Sequence, residues 1–193
     1  MMSTTNVVLV VDDSIDSIHM LNDVLEDAKF TVLVALEGTQ ALTITKNIRP
    51  DIILLDAVMP NMDGFETCKR LKLNPQLADV PIIFMTGLSD TEHVVMGLGA
   101  GGVDYITKPI NPEELIARMR VHLANARINQ SARAALDTAG QNLLTLNAQG
   151  QLLWATPQVY ELLNTAGALN ASTLLSRSIK NQLRGWRNHK PVA

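Results

Sequence analysis

Cysteine is nearly absent from this sequence, and histidine is sparse. The single cysteine, Cys68, cannot form an internal disulfide. The four histidines stand too far apart along the chain for any familiar zinc spacing: His19, His93, His122 and His189. We therefore expect neither an internal disulfide nor a zinc centre, and we expect the histidines to be surface or partly packed side chains.

Long apolar runs are also absent. The longest run near the N-terminus, Val7–Val11, is ended by Asp12 and has no basic segment before it. A membrane-spanning helix needs about 20 predominantly apolar residues. No low-complexity tract suggests disorder and no internal repeat is present. The sequence therefore predicts a folded, cytoplasmic protein that has no membrane partner.

Charge is unevenly distributed along the 193 residues. Residues 1–127 carry 10 Lys and Arg against 17 Asp and Glu, whereas residues 128–193 carry 6 against 2. The two parts have net charges of −7 and +4, which favours two modules, and the length suits one domain plus a smaller appendage. A net charge of +4 is too weak to establish an acidic partner or nucleic acid for the basic part.

Five short runs rich in Val and Ile alternate with polar stretches of helical periodicity. The runs are Val7–Val11, Thr31–Ala35, Ile52–Leu55, Pro81–Met85 and Val103–Ile106. They show little apolar–polar alternation, which is typical of parallel strands covered by helices on both faces. The pattern predicts an α/β fold, a doubly wound (βα)5 parallel sheet.

The last two predicted helices of this unit differ in character. The fourth, from about Thr91 to Leu98, runs into a glycine-rich stretch and should be the least stable. The fifth begins at Pro112, and its helical propensity persists as far as Leu136. Beyond Gly140 the pattern predicts a small α+β extension. It consists of a hairpin of Leu143–Leu146 and Leu152–Ala155, a helix of Gln158–Leu163 after Thr156-Pro157, and another from Ser172 or Thr173 to Trp186.

Polar side chains follow four of the five predicted strands. They are Asp12, Asp13, Asp56, Thr86 and Lys108. The carboxyl ends of strands in a doubly wound sheet share one crevice, so we expect these side chains to converge. Three crowded carboxylates repel one another, and oxygen ligands without Cys or His favour Mg²⁺ as the cation that keeps them ionised. A carboxylate held there can attack a phosphoryl donor and form an acyl phosphate.

Each of these residues also has a simpler explanation. Asp12, Asp13 or Ser14 could cap the first helix, Thr86 could merely end a strand, and Lys108 could be a solvated loop residue. Asp56 is harder to explain in this way, because it directly follows the buried run 52–55, where an unpaired acid is costly. Chance would rarely place such residues at four of the five strand ends together, and this joint occurrence favours a functional site.

The order of these motifs resembles the receiver domain of two-component response regulators. The sequence reads Val-Val-Asp12-Asp13-Ser14, Leu-Asp56-Ala-Val-Met-Pro-Asn-Met-Asp-Gly, Met-Thr86-Gly and Tyr-Ile-Thr-Lys108-Pro, in register over about residues 5–127. The resemblance implies that a sensor histidine kinase phosphorylates Asp56, and that the protein is not an enzyme beyond its own phosphorylation and dephosphorylation. It also implies the flavodoxin-like strand order 2-1-3-4-5, and contacts from Thr86 and Lys108 to the phosphoryl group.

The resemblance also implies a metal site and a switch. Mg²⁺ would be bound by Asp13, Asp56 and the Val58 carbonyl, with Asp12 assisting through water. Thr86 would move toward the phosphoryl group and Tyr105 would turn inward, altering the face formed by the fourth helix, fifth strand and fifth helix. We expect a homodimer, formed through this face or through the connector 125–136. The glycine run from Gly97 departs from the more usual composition.

The lifetime of the phosphorylated form depends on two further positions. Val58 lies two residues beyond Asp56, and Leu88 lies two beyond Thr86. By the resemblance both flank the phosphoryl group, where polar side chains can orient a hydrolytic water. Valine and leucine cannot do so, and the sequence therefore predicts a long-lived aspartyl phosphate.

Three segments follow from the resemblance and the patterns. Residues 1–127 would form the receiver, 128–140 a helical linker and 141–193 a small C-terminal module. Residues 143–163 are similar to the opening hairpin and first helix of PAS-like sensor domains, so the module is either a partial PAS-like region or a truncated output region. No helix-turn-helix is evident, so DNA is a partner only if an output domain follows. A basic stripe at 177–190 suits a solvated helix face or phosphate contacts.

Two other functions remain as alternatives. One is a transcriptional regulator whose DNA-binding domain lies outside this chain. The other is a haloacid-dehalogenase-like phosphatase, which also uses an aspartyl phosphate, Mg²⁺, Thr and Lys. Its Asp-x-Asp motif is missing at residues 12–14 and 56–58, and no substrate cap is recognisable. A phosphorylation-controlled signalling switch is the leading hypothesis.

Overall fold

A computed structural model describes residues 5–87, 96–140, 142–146 and 152–165. The chain divides between Arg127 and Ile128 into two compact units. No helix among the described residues is long and apolar enough to cross a membrane.

A parallel five-stranded sheet forms the centre of the first unit. Its strands are β1 (Val7–Val11), β2 (Thr31–Ala35), β3 (Ile52–Asp56), β4 (Ile82–Gly87) and β5 (Asp104–Lys108). The observed order β2-β1-β3-β4-β5 confirms the predicted doubly wound sheet. β3 and β5 extend past their predicted ends, because Asp56 still pairs with Met85 and Lys108 still pairs with Gly87.

Helices cover both faces of this sheet. They are α1 (Ile15–Asp27), α2 (Gly38–Ile44), α3 (Gly64–Leu73), the described part of α4 (residues 96–99) and α5 (Pro112–Thr138). Successive strand residues point to opposite faces, so the sheet separates two hydrophobic clusters. Leu9 and Val11 belong to the cluster with α2 and α3, and Val8 and Val10 belong to the cluster with α1 and α5.

Helix α5 is 27 residues long and carries its buried residues in its first half. Leu115, Met119 and Leu123 are buried, as their spacing predicts. The helix then continues to Thr138, through most of the segment predicted to connect the two modules.

The described part of the second unit contains a small hairpin followed by a helix. β6 (Leu144–Leu146) pairs antiparallel with β7 (Leu152–Ala155), and α6 spans Pro157–Thr165, confirming the predicted hairpin and the helix after it. Val159 of α6 packs with Leu152 and Ala155 in a small hydrophobic cluster. The predicted hairpin turn (147–150), the predicted helix from residue 172 or 173 to 186 and the basic stripe lie outside the described residues.

Candidate functional site

The carboxyl edge of the sheet collects the predicted residues. Asp12 directly follows β1, Asp56 is the last residue of β3, Thr86 lies near the end of β4, and Lys108 ends β5. These strands are parallel neighbours or near neighbours in the sheet, so their last residues meet at one edge. The structure therefore brings together residues that are up to 96 positions apart in the sequence.

Three carboxylates form an acidic cluster at this edge. One oxygen each from Asp12, Asp13 and Asp56 lies within 4.8 Å of the other two. Asp12 and Asp56 are buried, whereas Asp13 is exposed. Hard oxygen donors without His or Cys, open to solvent on one side, are the ligand set that Mg²⁺ prefers. The cluster fits the predicted cation.

Helix capping does not account for these acids. The side chain of Ser14 caps α1 by accepting a hydrogen bond from the backbone N–H of Ser17 at 3.3 Å. Asp12 accepts a hydrogen bond from the backbone N–H of Ser14 at 2.9 Å, which orients its carboxylate. Helix capping thus explains Ser14, whereas Asp12 and Asp13 belong to the acidic cluster.

Lys108 links two of the carboxylates. Its Nζ donates to Asp12 Oδ2 at 2.7 Å and to Asp56 Oδ2 at 2.6 Å. Burial alone would lower the pKa of Lys108, but its hydrogen bonds to Asp12 and Asp56 raise that pKa above the ordinary value. Lys108 therefore carries a fixed positive charge inside the crevice, and it is not a solvated loop residue.

Asp56 has a raised pKa. Burial is the largest cause, and it outweighs the hydrogen bonds from Lys108 and from the backbone N–H of Val58, which lower the pKa. The Val58 N–H donates to Asp56 Oδ1 at 3.1 Å, so each carboxylate oxygen of Asp56 has one donor. The Val58 side chain is 64% exposed beside this carboxylate.

Thr86 offers an unused hydroxyl. The side chain is buried, and its Oγ1 has no hydrogen-bond partner among the described residues. A buried hydroxyl without a partner costs free energy, and a phosphoryl oxygen arriving nearby can accept its hydrogen bond.

Tyr105 lies on β5, one strand away from Thr86, and its residue surface is 39% exposed. A small cavity between the two residues has Thr86 and Tyr105 in its lining. In this structure the ring of Tyr105 has thus not taken the buried position that the predicted switch requires. Leu88, the other predicted lifetime residue, lies outside the described residues, as do the first residues of the predicted fourth helix.

A charged network beside Tyr105 was not predicted from the sequence. Asp104 of β5 accepts hydrogen bonds from Arg118 Nη1 at 3.1 and 3.0 Å and contacts His122 Nε2 at 2.9 Å. Burial raises the pKa of Asp104, but these partners and the backbone N–H of Tyr105 lower it below the ordinary value overall. The spacing of four residues between Arg118 and His122 was the available signal, because it places both on one side of α5.

Comparison with known proteins agrees with this fold. The family model of the response regulator receiver domain matches residues 8–120. The DNA-binding response regulator MtrA of Mycolicibacterium smegmatis is 34% identical over 186 residues, which are 94% of this chain and 79% of that protein. The DNA-binding dual master transcriptional regulator RpaA of Synechocystis is 29% identical over 187 residues, or 93% of this chain and 77% of that protein.

Solved structures show the same similarity. A putative response regulator from Chloroflexus aurantiacus superimposes with a TM-score of 0.61 at 34% identity, covering 63% of this chain and 99% of that structure. The chemotaxis protein CheY4 of Vibrio cholerae has a TM-score of 0.59, also at 34% identity, covering 61% of this chain and 98% of its own.

The sheet order and the acidic crevice define a doubly wound α/β signalling domain with a site at the carboxyl edge of its strands. The chain belongs to the response regulator receiver family, whose model covers more than half of it. It is a response regulator of two-component signal transduction.

Proposed function

We propose that a sensor histidine kinase switches this protein by transferring a phosphoryl group to Asp56, with Mg²⁺ held by Asp12, Asp13, Asp56 and the Val58 carbonyl. The observation that carries the proposal is the position of Asp56. This acid is buried, lies within 4.8 Å of two other carboxylates and contacts a lysine ammonium at 2.6 Å. A purely structural role does not require that much charge at one point of a crevice.

The chemistry needs only position and countercharge. One carboxylate oxygen of Asp56 attacks phosphorus, the P–N bond of the donor phosphohistidine breaks, and its electron pair returns to the imidazole. The Mg²⁺ held by the acidic cluster would supply positive charge to the phosphoryl oxygens. Lys108 Nζ, now between Asp12 and Asp56, can contact a second oxygen, and the unpartnered Thr86 hydroxyl can donate to a third.

Phosphorylation by acetyl phosphate should depend on Mg²⁺, because an anionic donor cannot approach three carboxylates without a cation. We expect labelling of the protein to be lost in excess chelator and restored by Mg²⁺. Asp13→Asn should raise the Mg²⁺ concentration required, whereas Asp16→Asn, an exposed acid in the first turn of α1, should leave it unchanged. Labelling that persists in chelator would refute the metal site.

Lys108→Ala should separate the phosphorylation of Asp56 from the proposed switch of Thr86 and Tyr105. The variant keeps the acidic cluster and so retains some labelling by acetyl phosphate, at a rate lower by about 100-fold, the typical cost of losing one preorganised charge contact. The phosphoryl analogue beryllofluoride should no longer cause the proposed movement of Thr86 and Tyr105 in this variant. The reason is that Lys108 is the cation on β5 that links Asp56 to the strand of Tyr105. The matched control is Lys69→Ala, an exposed lysine of α3. A wild-type response from Lys108→Ala would exclude this role.

The switch proposed for this chain couples Thr86 to Tyr105. Thr86 would leave its present position to reach the phosphoryl group, and the ring of Tyr105 would turn into the space beside it. The unpartnered Thr86 hydroxyl and the cavity between the two residues support this movement. The face that changes comprises α4, β5 and the first half of α5.

The partner of this face is proposed to be a second copy of the chain. Exposed apolar side chains lie on or next to each of its elements: Met96 on α4, Val103 directly before β5 and Val121 on α5. Helix α5 carries the exposed Ile128 further along. Sedimentation at about tens of micromolar protein, within the affinity range of transient pairs, should show a dimer that beryllofluoride strengthens. Val121→Lys should weaken a dimer formed through the face of α4, β5 and α5, whereas Ile128→Lys should weaken a dimer formed through the connector 125–136. A monomer under both conditions would contradict the proposal.

Control of transcription is the second candidate for the output. Similarity to MtrA and RpaA extends over more than 90% of the chain and so beyond the receiver. The names of these relatives describe DNA-binding regulators, and we propose that this chain acts in the same process, either through its own C-terminal part or through a protein partner. Sequence-selective binding in a mobility-shift assay would favour the first route, and its absence at low salt would favour the second.

A further inference from the structure

The cavity between Thr86 and Tyr105 is lined by two aromatic rings and by a glycine of α4. Its lining includes Ala57, which directly follows β3, together with Phe84 of β4 and Phe65 of α3. On the α4 side it is lined by Gly97 and Leu98. The rings of Phe65 and Phe84 lie 5.2 Å apart at 38°, and both residues are buried. Because aromatic rings in a packed core have little room to move, the α4 side of the cavity decides how much space remains.

At Gly97 the Phe84 ring packs directly against the α4 backbone, in the place that a side chain would occupy. A Cβ built on this residue would lie 2.9 Å from Cδ2 and 3.2 Å from Cε2 of Phe84, and 3.5 Å from Cε1 of Phe65. The first of these distances is shorter than real Cβ contacts, so a methyl group would have to displace the Phe84 ring. The ring is held against Phe65 and borders the cavity, so a ring displaced by a methyl group at position 97 would take up space beside Thr86 and Tyr105.

The end of α4 is fixed in place and cannot easily retreat to make room. The N–H of Gly102 donates to the carbonyl of Gly97 at 3.0 Å, and the N–H of Gly101 donates to that of Leu98 at 3.1 Å. With φ of +102° at Gly101, these bonds form a Schellman cap.

Two side chains of α3 contact this cap. The Cys68 thiol donates to the carbonyl of Ala100 at 3.4 Å, and a Cβ on Gly101 would lie 3.1 Å from Cγ of Lys72. Lys72 is itself fixed, because its Nζ donates to the carbonyls of Ala78 and Val80 at 2.9 and 2.6 Å.

We propose that Gly97 determines whether this receiver can complete its switch, because a side chain here would push the Phe84 ring into the space into which the Tyr105 ring turns. The inference rests on the proposed movement of Tyr105 and adds the residue that permits it. Thr86 vacates part of the space, and the Phe84 ring, seated against the bare backbone of Gly97, leaves the rest free. Gly97 makes no contact with the acidic cluster that would alter the phosphorylation step.

The test compares Gly97→Ala with Gly99→Ala. Both substitutions replace a glycine of the 96–99 helical segment with the better helix former, but a Cβ on Gly99 meets nothing within 4 Å. The protein has two tyrosines, Tyr105 and Tyr160, so fluorotyrosine labelling gives two ¹⁹F resonances, with Tyr105→Phe to assign them. Exposure of Tyr105 is measured with a soluble paramagnetic reagent, before and after addition of beryllofluoride and Mg²⁺.

Wild type and Gly99→Ala should both protect the Tyr105 ring on activation, whereas Gly97→Ala should lose that protection while its Asp56 is still labelled by acetyl phosphate at the wild-type rate. Adding Phe84→Leu to Gly97→Ala should restore protection, because the smaller side chain returns the space. Equal protection in Gly97→Ala and wild type would overturn the inference and leave the proposed function intact. No protection in wild type would overturn the proposed movement of Tyr105 itself. Thermal unfolding of each variant shows that it is folded, and failure of Phe84→Leu to restore protection in a folded protein would also count against the inference.

Discussion

Asp56→Asn is expected to abolish phosphoryl labelling completely, both by acetyl phosphate and by a cognate kinase. The asparagine amide has the shape of the carboxyl group but no nucleophilic oxygen that could form a stable acyl phosphate. Within the acidic cluster neither other carboxylate is placed to substitute, because Asp12 is fully buried against Lys108 and Asp13 is not contacted by this lysine. Labelling is measured with radioactive acetyl phosphate and located by peptide mapping.

The variant should remain folded. Burial raises the pKa of Asp56 above its ordinary value, so the folded state binds the proton more tightly than the unfolded state does. Ionisation of Asp56 therefore lowers stability as the pH rises through the folded-state pKa toward neutrality. Asparagine removes this cost, and Lys108 keeps Asp12 as its partner, so the unfolding temperature at neutral pH should be no lower than that of wild type.

Asp63→Asn is the matched control for this experiment. Asp63 caps α3 by accepting from the backbone N–H of Glu66 at 2.7 Å, and asparagine caps as well as aspartate does. The control changes the same functional group seven residues away but outside the acidic cluster, and it should be labelled like wild type. Wild-type labelling of Asp56→Asn would require another phosphoacceptor.

The second large effect concerns the lifetime of the phosphorylated protein. Val58→Asn combined with Leu88→Glu should accelerate loss of phosphate by about 10- to 100-fold, since orienting a reactant is worth this much in rate. Val58 lies beside Asp56, where its exposed side chain faces solvent and cannot hydrogen-bond an incoming water. Mg²⁺ binding and the Lys108 contact would be unchanged, so the gain would come from water positioning alone.

Decay after removal of the donor measures this lifetime. Leu73→Asn, a similar substitution at an exposed apolar residue at the end of α3, controls for general effects of surface polarity and should decay like wild type. Decay of the wild-type phosphoprotein within seconds, or no acceleration in the double variant, would show that these two side chains do not set the lifetime. A slow wild type would in turn need an external phosphatase activity to reset the switch.

The local pattern determined the sheet and most of the site. Buried strands of a parallel sheet are apolar along their whole length, so five such runs separated by helical periodicity predict the doubly wound fold. That fold places the residues after β1, β3, β4 and β5 at one edge, so Asp12, Asp13, Asp56, Thr86 and Lys108 could be grouped without coordinates. The motifs in register then pointed to the receiver family.

The tertiary structure decided the properties that depend on contacts between distant residues. Side-chain geometry, which strand periodicity does not encode, decides the pairing of Lys108 with both Asp12 and Asp56. It also decides the unpartnered Thr86 hydroxyl and the 39% exposure of Tyr105. The bond from Asp104 to His122 joins two elements that no local pattern connects.

Gly97 is the clearest case of this division. In the sequence it is one of several glycines that weaken a helix. In the fold it lines the cavity, and its absent Cβ, like that of Gly102, lets the Phe84 ring pack against the backbone. Which glycines matter is set by their distance to a ring on β4, and only the packed structure fixes that distance.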